Sequence, residues 1–508
     1  MISEGGVVQE TLDLAIRGGT VVDGSGSAGV GADVGIAGGR VVALGTLAQP
    51  ARRVIDARGL VVAPGFIDVH SHDDMALIRG PRLDFKVMQG VTTVVVGNCG
   101  SGVAPVTADY RQHYEVFLSS VLGPAADFSW STTAEFFAAL EKAGPSLNVA
   151  AYAPHGTLRF AAMGMENRPP STDEMERMKE LLEEGLTAGA IGLSSGLIYA
   201  PGAFATTEEL IELCRVVERY GGIYASHIRS EGDHLLEAVE EAIRIGREAG
   251  VPVQLSHHKA QGRANWGKVV DSLALIDQAR AEGLDVTVDV YPYTAGSTFL
   301  TTVLADAMGE VGPEDVLVAA APKRREAEGK TLREVGELMG LPPWEAGEKL
   351  AQEDPSVVAI AFGMAEEDVR RVMAHPAAMF GSDGLPSAGG KPHPRLYGTF
   401  PRVLGTYVRR EKVLGLEEAI HKMTELPALK HRLAGRGRLA AGYHADVTVF
   451  DARSINDIAT YQDPRRYPDG MRWVIVNGEV VGEGGRHTGR GAGRVLRSGG
   501  QESDAETR

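Results

Sequence analysis

An apolar run in the stretch VVAPGFIDVHSHDD breaks into His70 and His72, two imidazoles separated by one residue. Side chains at i and i+2 of a strand share a face, so the pair would project together. The run Val61 to Val69 carries no charge until Asp68, as in a parallel strand buried on both faces. Its histidines would then emerge at the carboxyl end of the strand, where barrel enzymes keep their chemistry. Taken alone, His-x-His reads equally well as a pair satisfied by core hydrogen bonds. Four further strand-like runs end in ligand-type residues: Cys99 follows TTVVVGN, His227 ends GGIYAS, His257 ends VPVQLS and Asp383 ends AAMFGS. Singly, such a cysteine is usually a small buried hydrophobe and such an aspartate a helix cap. Together with His70 and His72, at one expected barrel mouth, they read as a metal-binding set.

Imidazole and thiolate donors suit zinc, and the scarcity of clustered carboxylates argues against magnesium or calcium. In SHHKAQG the alternation of a strand places His257 and Lys259 on one side and turns His258 toward the surrounding helices, so His257 is taken as the ligand. By the same rule Asp289, Tyr291 and Tyr293 of DVYPY share a face, either at the mouth or as barrel packing. The chemistry open to this set is attack by metal-activated water on an electrophilic centre of a bound molecule.

These residues need a frame, and the chain supplies one. Residues 12 to 62 read as short alternating strands with Gly-Gly turns. From about residue 60, apolar runs alternate with amphipathic segments. Eight runs are counted, near 62–70, 91–98, 147–153, 189–195, 222–227, 252–257, 285–291 and 377–383, the number a closed (β/α)8 TIM-like barrel needs. Segments such as TTEELIELCRVVERYG, GDHLLEAVEEAIRIGREAG and WGKVVDSLALIDQARAEG have helical spacing and end at glycine. An α/β protein is expected, with residues 62–432 forming the barrel and 298–376 a charged, largely helical insertion long enough to act as a lid. Residues 1–61 and 433–484, the latter with an Asn477-Gly478 turn, are expected to make one small β-sandwich-like domain from both chain ends. Residues 485–508, rich in Gly, Arg and Ser, read as a loop and a disordered tail.

Bulk properties narrow the function. At 508 residues with 44% hydrophobic composition, the chain has ample core for a barrel and a satellite. A net charge of -16 argues against nucleic-acid or anionic-membrane partners. Two cysteines far apart in sequence, Cys99 and Cys214, suit a reducing cytosol better than a disulfide framework. The amino terminus lacks a basic and apolar signal pattern, and no run of about 18 apolar residues occurs. A cytoplasmic enzyme acting on a small molecule is expected.

The stretches PGFIDVHSHDD, GNCG, HGTLR, SSGLIYAPG, SHIRSEG, SHHK, YPYTAGST, GSDG, HPRLYGTFPRVL and GYHADVTVFD span roughly residues 12–490. They resemble the amidohydrolase superfamily, and within it the D-aminoacylase or N-acyl-D-amino-acid deacylase group. The resemblance implies zinc-dependent hydrolysis of N-acyl-D-amino acids to a carboxylic acid and a free D-amino acid. It implies a tightly held zinc on Cys99, His227 and His257, with Cys99 bridging to a weaker second metal on His70 and His72. It further implies Asp383 as the catalytic aspartate, Arg395 on a substrate carboxylate, and Tyr199, Lys259, Tyr291 and Ser297 at the remaining pocket positions. Many relatives bridge their metals with a carboxylated lysine from the fourth strand; GAIGLSSGLIY offers Ser194 and Ser195 there instead. That departure disfavours the alternative enzymes, the hydantoinase, dihydroorotase or isoaspartyl dipeptidase types. A metal-free scaffold of the superfamily is a third reading, disfavoured because every ligand position is filled.

Overall fold

The computed structural model describes residues 11–111, 114, 128–306, 311–386 and 389–498. Eight short parallel strands form its centre: β1 (Phe66–Asp68), β2 (Val91–Val96), β3 (Asn148–Ala151, continued by Ala153–Pro154), β4 (Gly192–Gly196), β5 (Ile223–His227), β6 (Val253–Leu255), β7 (Val286–Val290) and β8 (Ala378–Phe380). Each pairs in parallel with the next in order. The ring closes between β8 and β1, where the Asp383 N–H donates to the His70 carbonyl at 2.7 Å and Ser71 bridges to Gly384. All six residues of β2 and all five of β5 are buried, the mark of strands covered on both faces.

Helices cover the outside. Thr172–Ala188 begins with a reciprocal capping box between Ser171 and Glu174. Leu235–Ala249 ends at Gly250 in the left-handed conformation. That helix lies so close to β6 that a side-chain carbon on Gly246 would stand 2.2 Å from Val253 Cγ2.

The first strand departs from expectation. Rather than one strand over 62–70, Val61–Pro64 pairs with Leu12–Val21 and with Val447–Phe450 outside the barrel, and only Phe66–Asp68 enters the ring. Gly65 is the pivot, because any side chain there would sit 2.1 Å from Thr92 Oγ1, and Pro64 has no N–H to continue a ladder. Strands from both chain ends share the nine-stranded outer sheet, from Leu12–Val21, Val30–Ala37, Arg40–Gly45 and Ala51–Asp56 to Val447–Phe450, Met471–Val476, Glu479–Glu483 and Arg486–His487. Ile16, Val34, Ile36, Val447 and Ile475 form its buried layer. The hairpin of Met471–Val476 and Glu479–Glu483 turns on Asn477 and Gly478, both at positive φ, as a two-residue turn of mirror-image type requires.

Two expectations are amended. The insertion after β7 carries the expected helices, Leu300–Asp306, Leu332–Met339, Pro343–Glu353 and Glu366–Ala374, but also an unexpected antiparallel sheet of Gly296–Phe299, Val358–Ala361 and Val316–Ala320, with its own apolar cluster. Its strands are only four or five residues long and are hidden among charged helices. The carboxyl-terminal stretch is not loose throughout. Residues 494–498 are pinned to the amino-terminal ends of the barrel strands: Val149 N–H donates to Arg494 O at 2.8 Å and Leu496 N–H to Val149 O at 2.7 Å, and Val495 and Leu496 are buried. Gly493 permits the approach, since a side-chain carbon there would overlap the Leu147 carbonyl at 1.9 Å. Residues 499–508 lie outside the described residues.

The barrel seam rests on a buried lysine. Lys86 Nζ lies 2.5 Å from Asp68 Oδ2, 2.6 Å from Ser382 Oγ and 3.2 Å from Asp73 Oδ2, and Lys86, Asp68 and Asp73 are all fully buried. Asp68 also accepts the Ser382 N–H at 2.8 Å. Removing one partner of such a pair leaves an uncompensated buried charge. Lys86→Met is expected to lower stability by about 3–5 kcal/mol; an unchanged urea midpoint would show that the seam does not depend on it.

Candidate metal centre

The turn after β2 presents Cys99 by a set of close approaches. Gly97, Cys99 and Gly100 all have positive φ. Ser194 on β4 bonds the Gly97 carbonyl and accepts the Gly100 N–H at 3.1 Å. On the other side, His70 and His72 follow β1, and His227 and His257 lie at the ends of β5 and β6. Cys99 Sγ is 3.3 Å from His70 Nε2 and 3.5 Å from His257 Nε2. Asp383 Oδ1 is 3.3 Å from His72 Nε2 and 3.5 Å from His70 Nε2. The six residues expected at one mouth are therefore brought to one mouth, in overlapping groups: His70 with Cys99 and His257, His70 with His72 and Asp383, and His227 with His257 and Glu231.

Burial alone would raise the Cys99 thiol, but His70 and His257 beside it outweigh burial and hold it well below the ordinary thiol range. Burial would likewise discharge His70, and the charges of Asp289 and Cys99 reverse that. For Asp383, burial is overcome by Arg395 and His257, which keep the carboxylate ionised. A thiolate and a carboxylate amid four imidazoles form a donor set suited to a soft or borderline cation. An independent observation fits a metal: neither ring nitrogen of buried His227 has a hydrogen-bond partner among the described residues, nor does His72 Nδ1. Buried polar atoms are rarely left so.

The outer partners orient the donors. Asp289 lies beneath the centre rather than among the ligands. Its carboxylate is 3.3 Å from His70 Nδ1 and accepts the His257 N–H at 2.9 Å and Gln254 Nε2 at 2.7 Å. His70 therefore presents Nε2 to the cysteine. Glu231, which sequence reasoning missed, is 2.9 Å from His257 Nδ1 and 2.5 Å from Lys259 Nζ. It lies in a loop four residues past His227, with no periodicity to mark it; the signal available was its place in SHIRSEG. His258 points away and meets Ser272 at 2.8 Å. Tyr293 does not reach the mouth: the strand ends at Val290, alternation lapses at Pro292, and the ring packs on His393 and Arg402.

The other pocket positions converge on the same space. Arg395 Nη2 is 2.9 Å from Asp383 Oδ2 and donates to the Ser297 carbonyl at 3.1 Å, while its Nε and Nη1 have no partner among the described residues. Its guanidinium stacks 4.5 Å from the Tyr291 ring, whose hydroxyl is also unpartnered. Tyr199 packs edge-on against His227 and bonds Thr298 Oγ1 at 3.1 Å. A cavity of about 420 Å³ opens over the cluster, lined by Tyr199, Lys259, Tyr291, Ser297 and Asp383 among others.

Fold and site together define a metal-dependent hydrolase built on a parallel barrel. The model of the amidohydrolase family matches residues 53–482, and the chain belongs to that family. It is 45% identical over 475 residues to an N-acyl-D-glutamate deacylase of Alcaligenes xylosoxydans xylosoxydans, covering 93% of this chain and 94% of the relative. It is 43% identical over 488 residues to a D-aminoacylase of the same organism, covering 96% and 98%. The crystal structure of an N-acyl-D-glutamate deacylase from Bordetella bronchiseptica, complexed with zinc and a phosphonate mimic of the tetrahedral intermediate, is 41% identical with a TM-score of 0.90, covering 96% of this chain and 100% of that one. No helix among the described residues is long and apolar enough to cross a membrane.

Partners that orient a ligand histidine typically contribute 10- to 100-fold to metal affinity. Glu231→Gln is expected to weaken zinc binding by about that factor in a chelator competition, with the fold retained. Wild-type affinity in the variant would remove Glu231 from the centre.

Proposed function

We propose that this chain is a zinc-dependent N-acyl-D-amino-acid deacylase, releasing a carboxylic acid and a free D-amino acid. The observation that carries the reading is the juxtaposition of a thiolate-imidazole cluster with a half-free guanidinium fork: Cys99, His70 and His257 on one side of Asp383, Arg395 on the other. Cys99, His227 and His257 would hold the tightly bound zinc, and His70 and His72 a weaker second ion. A bound zinc supplies Lewis acidity and, at neutral pH, a nucleophile from water.

The chain's own residues do the rest. Asp383 Oδ2 is tied to Arg395, so its Oδ1, facing the histidines, is the oxygen free to accept a proton from attacking water and return it to the departing nitrogen. Without that return the amine would leave as an anion. The Tyr199 hydroxyl, at the cavity wall, is a donor for the oxyanion that develops on the acyl carbon. Arg395 keeps unpartnered donors at Nε and Nη1, on the two edges that flank the Nη2 holding Asp383, and a free α-carboxylate can accept from one of these edges, beside the unpartnered Tyr291 hydroxyl and Lys259. The fourth strand supports this reading over cyclic-amide hydrolysis, because it carries no lysine and Ser194 is engaged with the Cys99 turn. A reducing cytoplasm suits a protein that needs its Cys99 unoxidised; Cys99 and Cys214 are both free.

The test is amine release from paired N-acetyl-D- and N-acetyl-L-amino acids, before and after chelation and after zinc restoration. D-selective, zinc-restored turnover is expected; turnover confined to cyclic amides or indifferent to chelation would end the proposal. Arg395→Lys keeps the charge beside Asp383 but loses the fork. It is expected to raise KM at least about 10-fold for acylated amino acids and to leave KM for uncharged N-acyl amines nearly unchanged; equal losses on both would remove its carboxylate role.

A further inference from the structure

The relatives include enzymes named for an acidic side chain and one named for amino acids in general, so the family does not say which side chain this chain accepts. Its cavity does. Lys259 is the only lysine or arginine among the described residues that line it, and Lys259 is already 2.5 Å from Glu231. Arg395, beside the cavity, is tied through Nη2 to Asp383 and Ser297 and keeps only its Nε and Nη1 donors, which the α-carboxylate takes. The internal segments outside the described residues, 112–113, 115–127, 307–310 and 387–388, contain no lysine or arginine in their sequence. The two carboxylates of the cavity, Glu231 and Asp383, are each matched by one of these cations, so neither is spare for a basic side chain either.

What remains of the wall beyond the metal-site histidines and Cys99 is apolar, with hydroxyls and the Gln261 amide and no further charge. Met165 follows the helix after β3 and is half exposed at 51%, Ile198 follows β4, and Leu385 follows β8. Phe299 and Val303 come from the start of the insertion, with Thr302 between them. A charged side chain buried against this wall would lose its hydration and meet only neutral hydroxyl and amide groups with no opposite charge, whereas an aliphatic or thioether chain would gain contact at no such cost.

We infer that the side-chain subsite of this deacylase takes uncharged apolar D-residues, of the leucine, methionine or phenylalanine kind, and that Phe299, Thr302 and Val303 of the insertion set that choice. The inference rests on the deacylase reading above and is separable from it. Initial rates of the zinc-loaded full chain would be measured on N-acetyl-D-leucine, D-methionine, D-phenylalanine, D-glutamate, D-aspartate and D-lysine. The expected result is kcat/KM at least about 10-fold higher for the apolar set. Charged substrates hydrolysed as well or better would overturn the inference and leave the deacylase reading standing; no release from any D-substrate would overturn both. Val303→Arg and the less buried Thr302→Arg supply the missing cation. In whichever of them keeps wild-type zinc content, the D-glutamate to D-leucine ratio is expected to rise about 10-fold. An unchanged ratio would overturn the assignment of this wall to the side chain.

Discussion

A buried carboxylate at the carboxyl end of β7 is the constraint on which the centre stands. Asp289 has no exposure to solvent, and a charge so placed persists only when it is fully paired. Its partners are His70, the His257 backbone and Gln254, which are groups from β1, β6 and the turn beyond β6. Satisfying one aspartate therefore fixes two imidazoles at once. Burial opposes its ionisation, and His70 and His257 more than offset that, keeping it charged. The orientation of the ligands follows from electrostatic necessity beneath them, before any ion is considered.

The same economy appears in the backbone. Cys99, His257 and Asp383 are non-glycine residues at φ of 53°, 35° and 48°, conformations that cost of order 1–3 kcal/mol each. Each is held by bonds that leave no cheaper alternative. The Asp383 N–H reaches across the seam to His70, the His257 and His258 N–H groups both reach Asp289, and the Cys99 turn is clamped by Ser194. Turning a strand end inward through a left-handed residue aims its side chain over the barrel axis rather than along it. The strain is thus located where convergence is needed and is met by the closure of the ring.

Much of this was legible in the residues and some was not. The candidate ligands stood out because four buried strands end in an imidazole or a thiol and a fifth in an aspartate, a coincidence that core packing of each alone does not explain. The eight-fold rhythm was visible for the same reason. Pro64 and Gly65 were hidden inside a continuous apolar run, so the passage from the outer sheet to β1 could not be read from hydropathy; only the proximity of Thr92 reveals it. The insertion's strands were too short to stand against charged helices. Val495 and Leu496 lie in a Gly- and Arg-rich context typical of a loose tail, and it is the edge of β3, remote in sequence, that orders them. Glu231 escaped because its partners, Lys259 and His257, are contributed by another strand.

The absence of a lysine on β4 has a physical counterpart in the structure. A side-chain carbon on Gly100 would stand 2.7 Å from the Gly196 nitrogen, and one on Gly196 would stand 2.1 Å from the Cys99 carbonyl. The turn bearing the cysteine is pressed directly onto the end of β4, and the Ser194 side chain fills the remaining space as its clamp. A long amine reaching inward from β4 would have to displace that turn, and with it the thiolate. A lysine reaching inward from β4 and the cysteine turn after β2 therefore compete for one space in this barrel. Serine on β4 is the condition under which cysteine on β2 can reach the histidines. The donor set and the packing of the two strands are one choice, made in residues that lie about a hundred positions apart.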